Sequence, residues 1–199
     1  MKIASWNINS LRKRQERLLA WLLATRPDVA CLQETKCTDE QFPHEVLRDA
    51  GYASVFHGQK SYNGVAILSK EEPRDVRIGL CDEVEDPQAR VIAASVGDLR
   101  VISIYAPNGQ GVASSAYEYK MAWYRRLTNG LRENGVTSRL LVCGDFNVAP
   151  NDEDVHDPAL WRGAIMCSAG ERAAFQELCG IGLSDTLRLL HPEPGLFSW

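Results

Sequence analysis

The amino-acid sequence predicts an α+β fold of two layered sheets, and three features of its patterning say so. Short apolar runs rich in branched residues recur along the chain, the signature of buried strands. Two pairs of these runs are joined by polar or glycine-containing turns, as antiparallel hairpins require. Other runs lead directly into stretches with helical spacing of leucine and aromatic residues. Hairpins interspersed with strand–helix units favour two stacked sheets over one all-parallel sheet, with polar strand ends gathered on one edge.

Residues 2–8 read as the first strand. A helix follows, with Leu11, Leu18, Leu19, Leu22 and Leu23 on one side and Arg12, Lys13, Arg14 and Arg17 on the other. Pro27 and Asp28 break it, and residues 29–32 form a second buried strand. Thr38 and Gln41 stand at capping-box spacing and predict a short helix. Residues 54–57 and 64–69 read as paired strands around the polar loop 59–63. Residues 91–96 and 100–105 flank Gly97-Asp98, a two-residue turn whose leading glycine favours a tight hairpin. Ser115 and Glu118 open a long helix whose buried stripe is Tyr119, Trp123, Leu127 and Leu131, and Asn134-Gly135 closes it. Residues 140–143 read as a buried strand. A polar loop runs on through Pro158, and a further helix carries Phe175, Leu178 and Cys179.

The 199 residues fit one domain, residues 1–199, large enough for a substantial core. No apolar stretch is long enough to span a bilayer. The first residues run straight into a strand, without the serial features of a secretory signal. Cys31, Cys37, Cys81, Cys143, Cys167 and Cys179 include no CxxC pair, and a reducing, cytoplasmic location is expected. The formal net charge is −4, from 22 basic and 26 acidic residues. That balance disfavours a passive nucleic-acid coat but not a nuclease, because a bound cation reverses the local sign. The basic cluster around Arg12 and the pair Arg125-Arg126 read as solvated helix faces. The four histidines lack zinc-ligand spacing, and the chain has no glycine-rich phosphate loop and no GxSxG elbow.

Five polar clusters follow strand-like runs. Asp145 and Asn147, in Gly144-Asp145-Phe146-Asn147, end the run that begins at Leu140. Residues two apart on extended chain share a side, so a carboxylate and an amide are expected together. Aspartate, with an ordinary pKa near 3.9, is a weak general base at neutral pH. Asp145 therefore either gains basicity from its surroundings, works on a metal-acidified water, or positions the water without taking its proton. Glu34 ends the run at residues 29–32 and suits a hard divalent cation, or else a surface pair with Lys36. Asn7 and Asn9 share the i, i+2 relation and suit a phosphate oxygen or water, the alternative being capping of the first helix by Asn9 or Ser10. Tyr105 and Asn108, in Tyr105-Ala106-Pro107-Asn108-Gly109, suit a phosphate oxygen, in a segment that also has plain turn chemistry. Asn63-Gly64 reads most simply as a turn. Together the clusters fit metal-assisted attack on a phosphate ester.

In this order the motifs resemble the exonuclease III family of apurinic/apyrimidinic endonucleases, in the endonuclease/exonuclease/phosphatase superfamily. The stretches that carry the resemblance are WNINSLR from Trp6, LQETK from Leu32, NGVAILSK from Asn63, QARVIA from Gln88, YAPNG from Tyr105, CGDFNVAP from Cys143 and HDP from His156. Glu171-Arg172 and Asp185-Thr186-Leu187-Arg188 extend it. The resemblance implies a four-layer α/β/β/α sandwich of two packed mixed sheets (DNase I-like). It implies Mg²⁺ or Mn²⁺, cleavage of the phosphodiester 5′ to abasic sites in double-stranded DNA, and trimming of 3′ ends. It implies a monomer with no membrane partner. It further implies that Glu34 is the principal metal ligand, with Asn7 and Asn9 beside the metal. Tyr105, Asp145 and Asn147 take the catalytic roles, and Asn108, Asn63 and Arg90 meet phosphate or DNA.

Relatives continue beyond the Ser198-Trp199 point with a Trp-Arg-x-Asp motif and a terminal Asp-His pair. No residue here matches that histidine, and His191 falls at a different point of the pattern. The expectation is a C-terminally truncated domain with an incomplete second sheet, and weak activity if residues 1–199 are the whole molecule. Two alternatives follow: an inactive fragment that at most binds DNA, and a phosphatase of the same superfamily.

Overall fold

The computed structural model describes residues 1–80, 82, 84–137, 139–193 and 195–197. Cys81, Ser198 and Trp199 lie outside the described residues. The chain divides into two compact units. One comprises Met1–Tyr105 and Thr137–Asp145, and the other Ala106–Val136 and Phe146–Trp199.

Among the described residues the first unit holds eight strands: β1 (Ile3–Asn7), β2 (Val29–Gln33), β3 (Ala53–His57), β4 (Val65–Ser69), β5 (Arg74–Ile78), β6 (Val91–Val96), β7 (Leu99–Tyr105) and β8 (Leu140–Asp145). They form two mixed sheets, ordered β1-β2-β4-β3 and β5-β6-β7-β8. The β1–β2 and β7–β8 pairs are parallel and the others antiparallel. The expected α+β class with two packed mixed sheets is therefore what the chain adopts.

Alternation along the central strands explains the layering. In β2 and β4 every residue is buried. Val29, Cys31, Val65 and Ile67 pack with Ile92, Ala94, Val96 and Val101 of the second sheet. The intervening Ala30, Leu32, Ala66 and Leu68 pack with Leu11, Leu18 and Leu22 of α1 (Leu11–Thr25) and Leu47 of α2 (His44–Asp49). Strand side chains alternate between faces, so a strand covered on both sides is apolar along most of its length, and only the last residue of each, Gln33 and Ser69, is polar. Each fully buried leucine or isoleucine is worth about 1.5–3 kcal/mol, which makes these two strands the core of the unit.

The second unit carries α3 (Ser115–Asn134), α4 (Pro158–Trp161), α5 (Ala169–Gly180) and α6 (Thr186–Leu190). Ser168 and Glu171 form a reciprocal capping box at the start of α5. Phe146 meets Phe175 edge-on at 5.5 Å. Among the described residues no helix is long and apolar enough to cross a membrane.

The structure corrects several local expectations. Leu23 is 71% exposed, because α1 buries only the row Leu11, Leu18 and Leu22. Thr38 makes no side-chain cap bond, and the segment is a single 3-10 turn, Asp39–Gln41, followed by the unforeseen α2. α3 begins at Ser115 as expected, and the residue before it, Ser114, caps it by accepting from the Tyr117 amide. The buried face of α3 contains Lys120 and Tyr124, while Tyr119 is half-buried. The run at residues 140–143 is half-buried, since β8 is the last strand of its sheet among the described residues. The strand β5 was not foreseen. All five of its residues are exposed, so it has no apolar face to signal it.

Gly144 shows why the sequence is fixed at the end of β8. Its φ is +145°, and a Cβ there would stand 2.0 Å from the Ile104 carbonyl oxygen. Ile104 is its register partner, so the close approach of β7 requires glycine and sets Asp145 opposite Tyr105. Gly144→Ala is expected to lower unfolding stability by about 3 kcal/mol or more, measured by urea denaturation. A loss below about 1 kcal/mol would contradict this reading.

Candidate active site

In the first unit the carboxyl ends of β1, β2, β7 and β8 present Asn7, Glu34, Tyr105 and Asp145. Two parallel strand pairs produce this, because parallel strands end on the same edge. Asn7 Nδ2 donates to Glu34 Oε1 at 2.7 Å and to Asp145 Oδ2 at 2.8 Å. One amide thus bridges two carboxylates that would otherwise repel. Lys36 Nζ lies 2.6 Å from Glu34 Oε2 and also donates to Asn9 Oδ1 at 2.6 Å. Of the two sequence readings of Glu34, the pairing with Lys36 is present, and the carboxylate also faces Asp145 through the shared Asn7 amide.

The backbone at Glu34 is unusual. Glu34 has φ +55° and Lys36 φ +53°, in the left-handed region that glutamate and lysine seldom enter. Such residues cost about 1–3 kcal/mol each and persist where their surroundings over-determine them. Here the Glu34 carbonyl accepts from the Ser10 amide at 2.7 Å and the Thr35 carbonyl from the Leu11 amide at 3.0 Å. The Thr35 and Lys36 amides donate to Gly64 O and Asn63 O at 3.1 and 3.0 Å. The tight Asn63-Gly64 segment is thus a brace for the Glu34 loop, and a Cβ on Gly64 would stand 2.0 Å from Thr35 Oγ1.

Burial alone would raise the Glu34 carboxyl, but hydrogen bonds from Lys36 and Asn7 outweigh it and hold the group below its ordinary value. Tyr105 moves the other way. Burial, and then the negative charge of Glu34, push its phenol up to about 12, with Arg90 opposing. Tyr105 is therefore a protonated donor at neutral pH.

Other expected residues take less direct places. Asn9 has φ +45°, which breaks the strand alternation, so it does not repeat the position of Asn7. Its amide oxygen meets Lys36. Ser10 makes no side-chain cap bond to α1. Asn63 is buried, and its amide donates to Gln59 Oε1 at 2.7 Å. Arg90 is buried with its guanidinium 4.8 Å from the Tyr105 ring centroid, bonded to Gln88 Oε1 at 2.8 Å and to the Tyr105 carbonyl at 3.0 Å. It supports Tyr105 from behind. Gln33, unremarked in the sequence, is buried beside Glu34 and bonds Ser5 and Ser103.

In the second unit Asn108 Nδ2 reaches Asn147 Oδ1 at 3.4 Å, and Asn147 Nδ2 donates to Ala106 O at 2.8 Å. Asn147 has φ +49°, so the extended-chain rule that placed it beside Asp145 does not apply.

Glu34 and Asp145 offer carboxylate oxygens, and Asn7 presents its Nδ2–H to both of them. A carboxylate pair suits magnesium, which usually takes one or two carboxylates, keeps water and phosphate oxygens for its other positions, and dehydrates reluctantly. Soft metals prefer sulfur or imidazole.

The family model of the endonuclease/exonuclease/phosphatase family matches residues 4–197. Exodeoxyribonuclease III of Haemophilus influenzae is 38% identical over 212 residues, covering 100% of this chain and 79% of that protein. A 3′ phosphatase from Neisseria, solved bound to a product DNA hairpin, superposes with TM-score 0.96 at 43% identity, over 100% of this chain and 78% of that one. An AP endonuclease from Archaeoglobus fulgidus gives TM-score 0.92 at 39% identity, over 97% and 75%. The chain belongs to the endonuclease/exonuclease/phosphatase family, within its exonuclease III group of hydrolytic nucleases.

The Tyr105 environment is checked by spectrophotometric titration in EDTA, taking the difference between the protein and Tyr105→Phe. A phenol raised in the fold leaves stability unaffected below about pH 10, the ordinary tyrosine value. Stability then declines as pH climbs through the raised value. A midpoint at about 12 is expected, and one at or below about 10 would contradict the assigned surroundings.

Proposed function

We propose that this protein is a Mg²⁺- or Mn²⁺-dependent DNA-repair nuclease that hydrolyses the phosphodiester 5′ to abasic sites in duplex DNA and trims 3′ ends. The observation that carries the reading is the single Asn7 amide shared by the Glu34 and Asp145 carboxylates. Family membership and the named relatives support the substrate class.

Glu34 is the principal metal ligand, with Asn7 beside it. When bound, the cation supplies Lewis-acid stabilisation of charge on the phosphate oxygens. Asp145, oriented by Asn7, holds the attacking water in line with the scissile bond, where fixed geometry replaces a costly encounter. Tyr105 donates its phenolic proton in a hydrogen bond to a phosphate oxygen as negative charge grows there. Asn108 and Asn147 meet the phosphate as neutral donors. An abasic nucleotide has no base to unstack, so extruding it costs less than flipping an intact one. Phosphate contacts make affinity fall with salt.

The Neisseria 3′ phosphatase favours a second reading, in which the main substrate is a 3′-terminal phosphate on DNA. The same groups serve it, and only the position of the phosphate differs.

Incubation of the protein with an abasic-site duplex and with a 3′-phosphate duplex, each with Mg²⁺ and then with EDTA, tests both. Nicking at the abasic site that EDTA abolishes is the expected result. Release of phosphate from 3′ ends alone selects the second reading, and turnover of an inositol phosphate in preference to either duplex rejects both. Glu34→Ala and Asp145→Asn should each lower turnover by about a hundredfold or more. Near-normal rates in both at saturating Mg²⁺ would reject the assigned roles.

A further inference from the structure

Lys120 lies on the buried face of α3 and is fully buried, as is Glu171 in the first turn of α5. An ammonium removed from water is costly unless it is paired and its remaining protons are bonded. Lys120 Nζ pairs with Glu171 Oε1 and also donates to Asn147 O at 2.6 Å and Asn108 O at 3.2 Å. These two carbonyls belong to the two residues whose amides are assigned to the phosphate. The Lys120 stem reinforces the link, since a Cβ on Gly109 would stand 3.0 Å from Lys120 Cδ. Gly109 also has φ +89°, so glycine is required there twice over.

Glu171 is itself fully occupied. Its Oε1 accepts from the Met166 amide at 2.9 Å, and its Oε2 accepts from the Ser168 amide at 3.1 Å and the Ser168 hydroxyl at 2.6 Å. The carboxylate therefore fixes the ammonium to the start of α5, and the ammonium fixes two loop backbones. Asn147 is held in its left-handed conformation by its carbonyl bond to Lys120 and its amide bond to Ala106 O.

We propose that Lys120 is a positioning residue for phosphate chemistry: its buried ammonium fixes the Asn108 and Asn147 backbones and so aims both side-chain amides. The proposal rests on the reading that those amides meet the phosphate. A merely structural pair would behave differently, because Glu171→Gln leaves the Lys120 donors on both carbonyls whereas Lys120→Met removes them.

The experiment compares Lys120→Met, Glu171→Gln and the unaltered protein, well below each melting temperature, by steady-state kinetics on abasic duplex and by NMR of the Asn108 and Asn147 side-chain amides. Both variants are expected to lose thermal stability. Lys120→Met is expected to lower kcat about tenfold to a hundredfold with KM within about threefold, and to move both amide resonances. Glu171→Gln is expected to hold kcat within about threefold and leave the resonances in place. Equal kcat loss in the two variants, or unmoved amides in folded Lys120→Met, would overturn the proposal. If Lys120→Met does not fold, through-hydrogen-bond couplings from Lys120 Nζ to the Asn108 and Asn147 carbonyls in the unaltered protein decide it, their absence refuting the anchor. An unaltered protein inactive on every DNA substrate would defeat the functional reading, while the NMR comparison would still judge the anchor.

Discussion

Two carboxylates cannot sit side by side in a folded protein without compensation, and here an amide supplies it. Asn7 donates one hydrogen bond to Glu34 and another to Asp145, and Lys36 neutralises the far oxygen of Glu34. The rest of the first unit serves that meeting. Parallel pairing of β1 with β2 and of β7 with β8 brings the strand ends to one edge. The glycine at position 144 lets β8 lie against β7, and the brace from Asn63-Gly64 holds Glu34 in a conformation it would not choose alone.

The groups around this pair divide the chemical work by their ionisation. Glu34 is held anionic by Lys36 and Asn7 against the penalty of burial. Tyr105 is held neutral by burial and by Glu34 itself. A carboxylate anion and a protonated phenol are thus maintained side by side, each partly by the other's presence, as the roles proposed for them toward a cation and a phosphate require. This is the arrangement expected where charge must be stabilised during reaction without reorganising the surroundings.

Much of this was readable in the residues. The run at residues 29–32 in β2 is apolar and bounded by turn residues, so its burial was evident, and residues 64–69 were legible as the paired strand β4. The tight β6–β7 hairpin followed from Gly97-Asp98. By contrast β5 has no buried face and exists only through its ladder to β6, interrupted by a register shift. The strand ends that matter were also marked by their polar residues, but their meeting was not. Asn7 and Asp145 lie 138 residues apart, and only the sheet pairings join them. Left-handed Glu34 and Asn147 defeat any rule based on extended chain. Lys120 was hidden for another reason: an amphipathic reading assigns lysine to water, and its burial depends on Glu171, 51 residues away.

The central claim is that Glu34 and Asp145 converge on a single hard cation. Anomalous diffraction from crystals soaked in Mn²⁺ tests it most directly. The account predicts one strong peak at coordination distance from the Glu34 carboxylate, about 2.0–2.3 Å, with Asp145 and Asn7 around it. A peak placed away from both carboxylates, or Glu34 and Asp145 found on separate parts of the molecule, would contradict it.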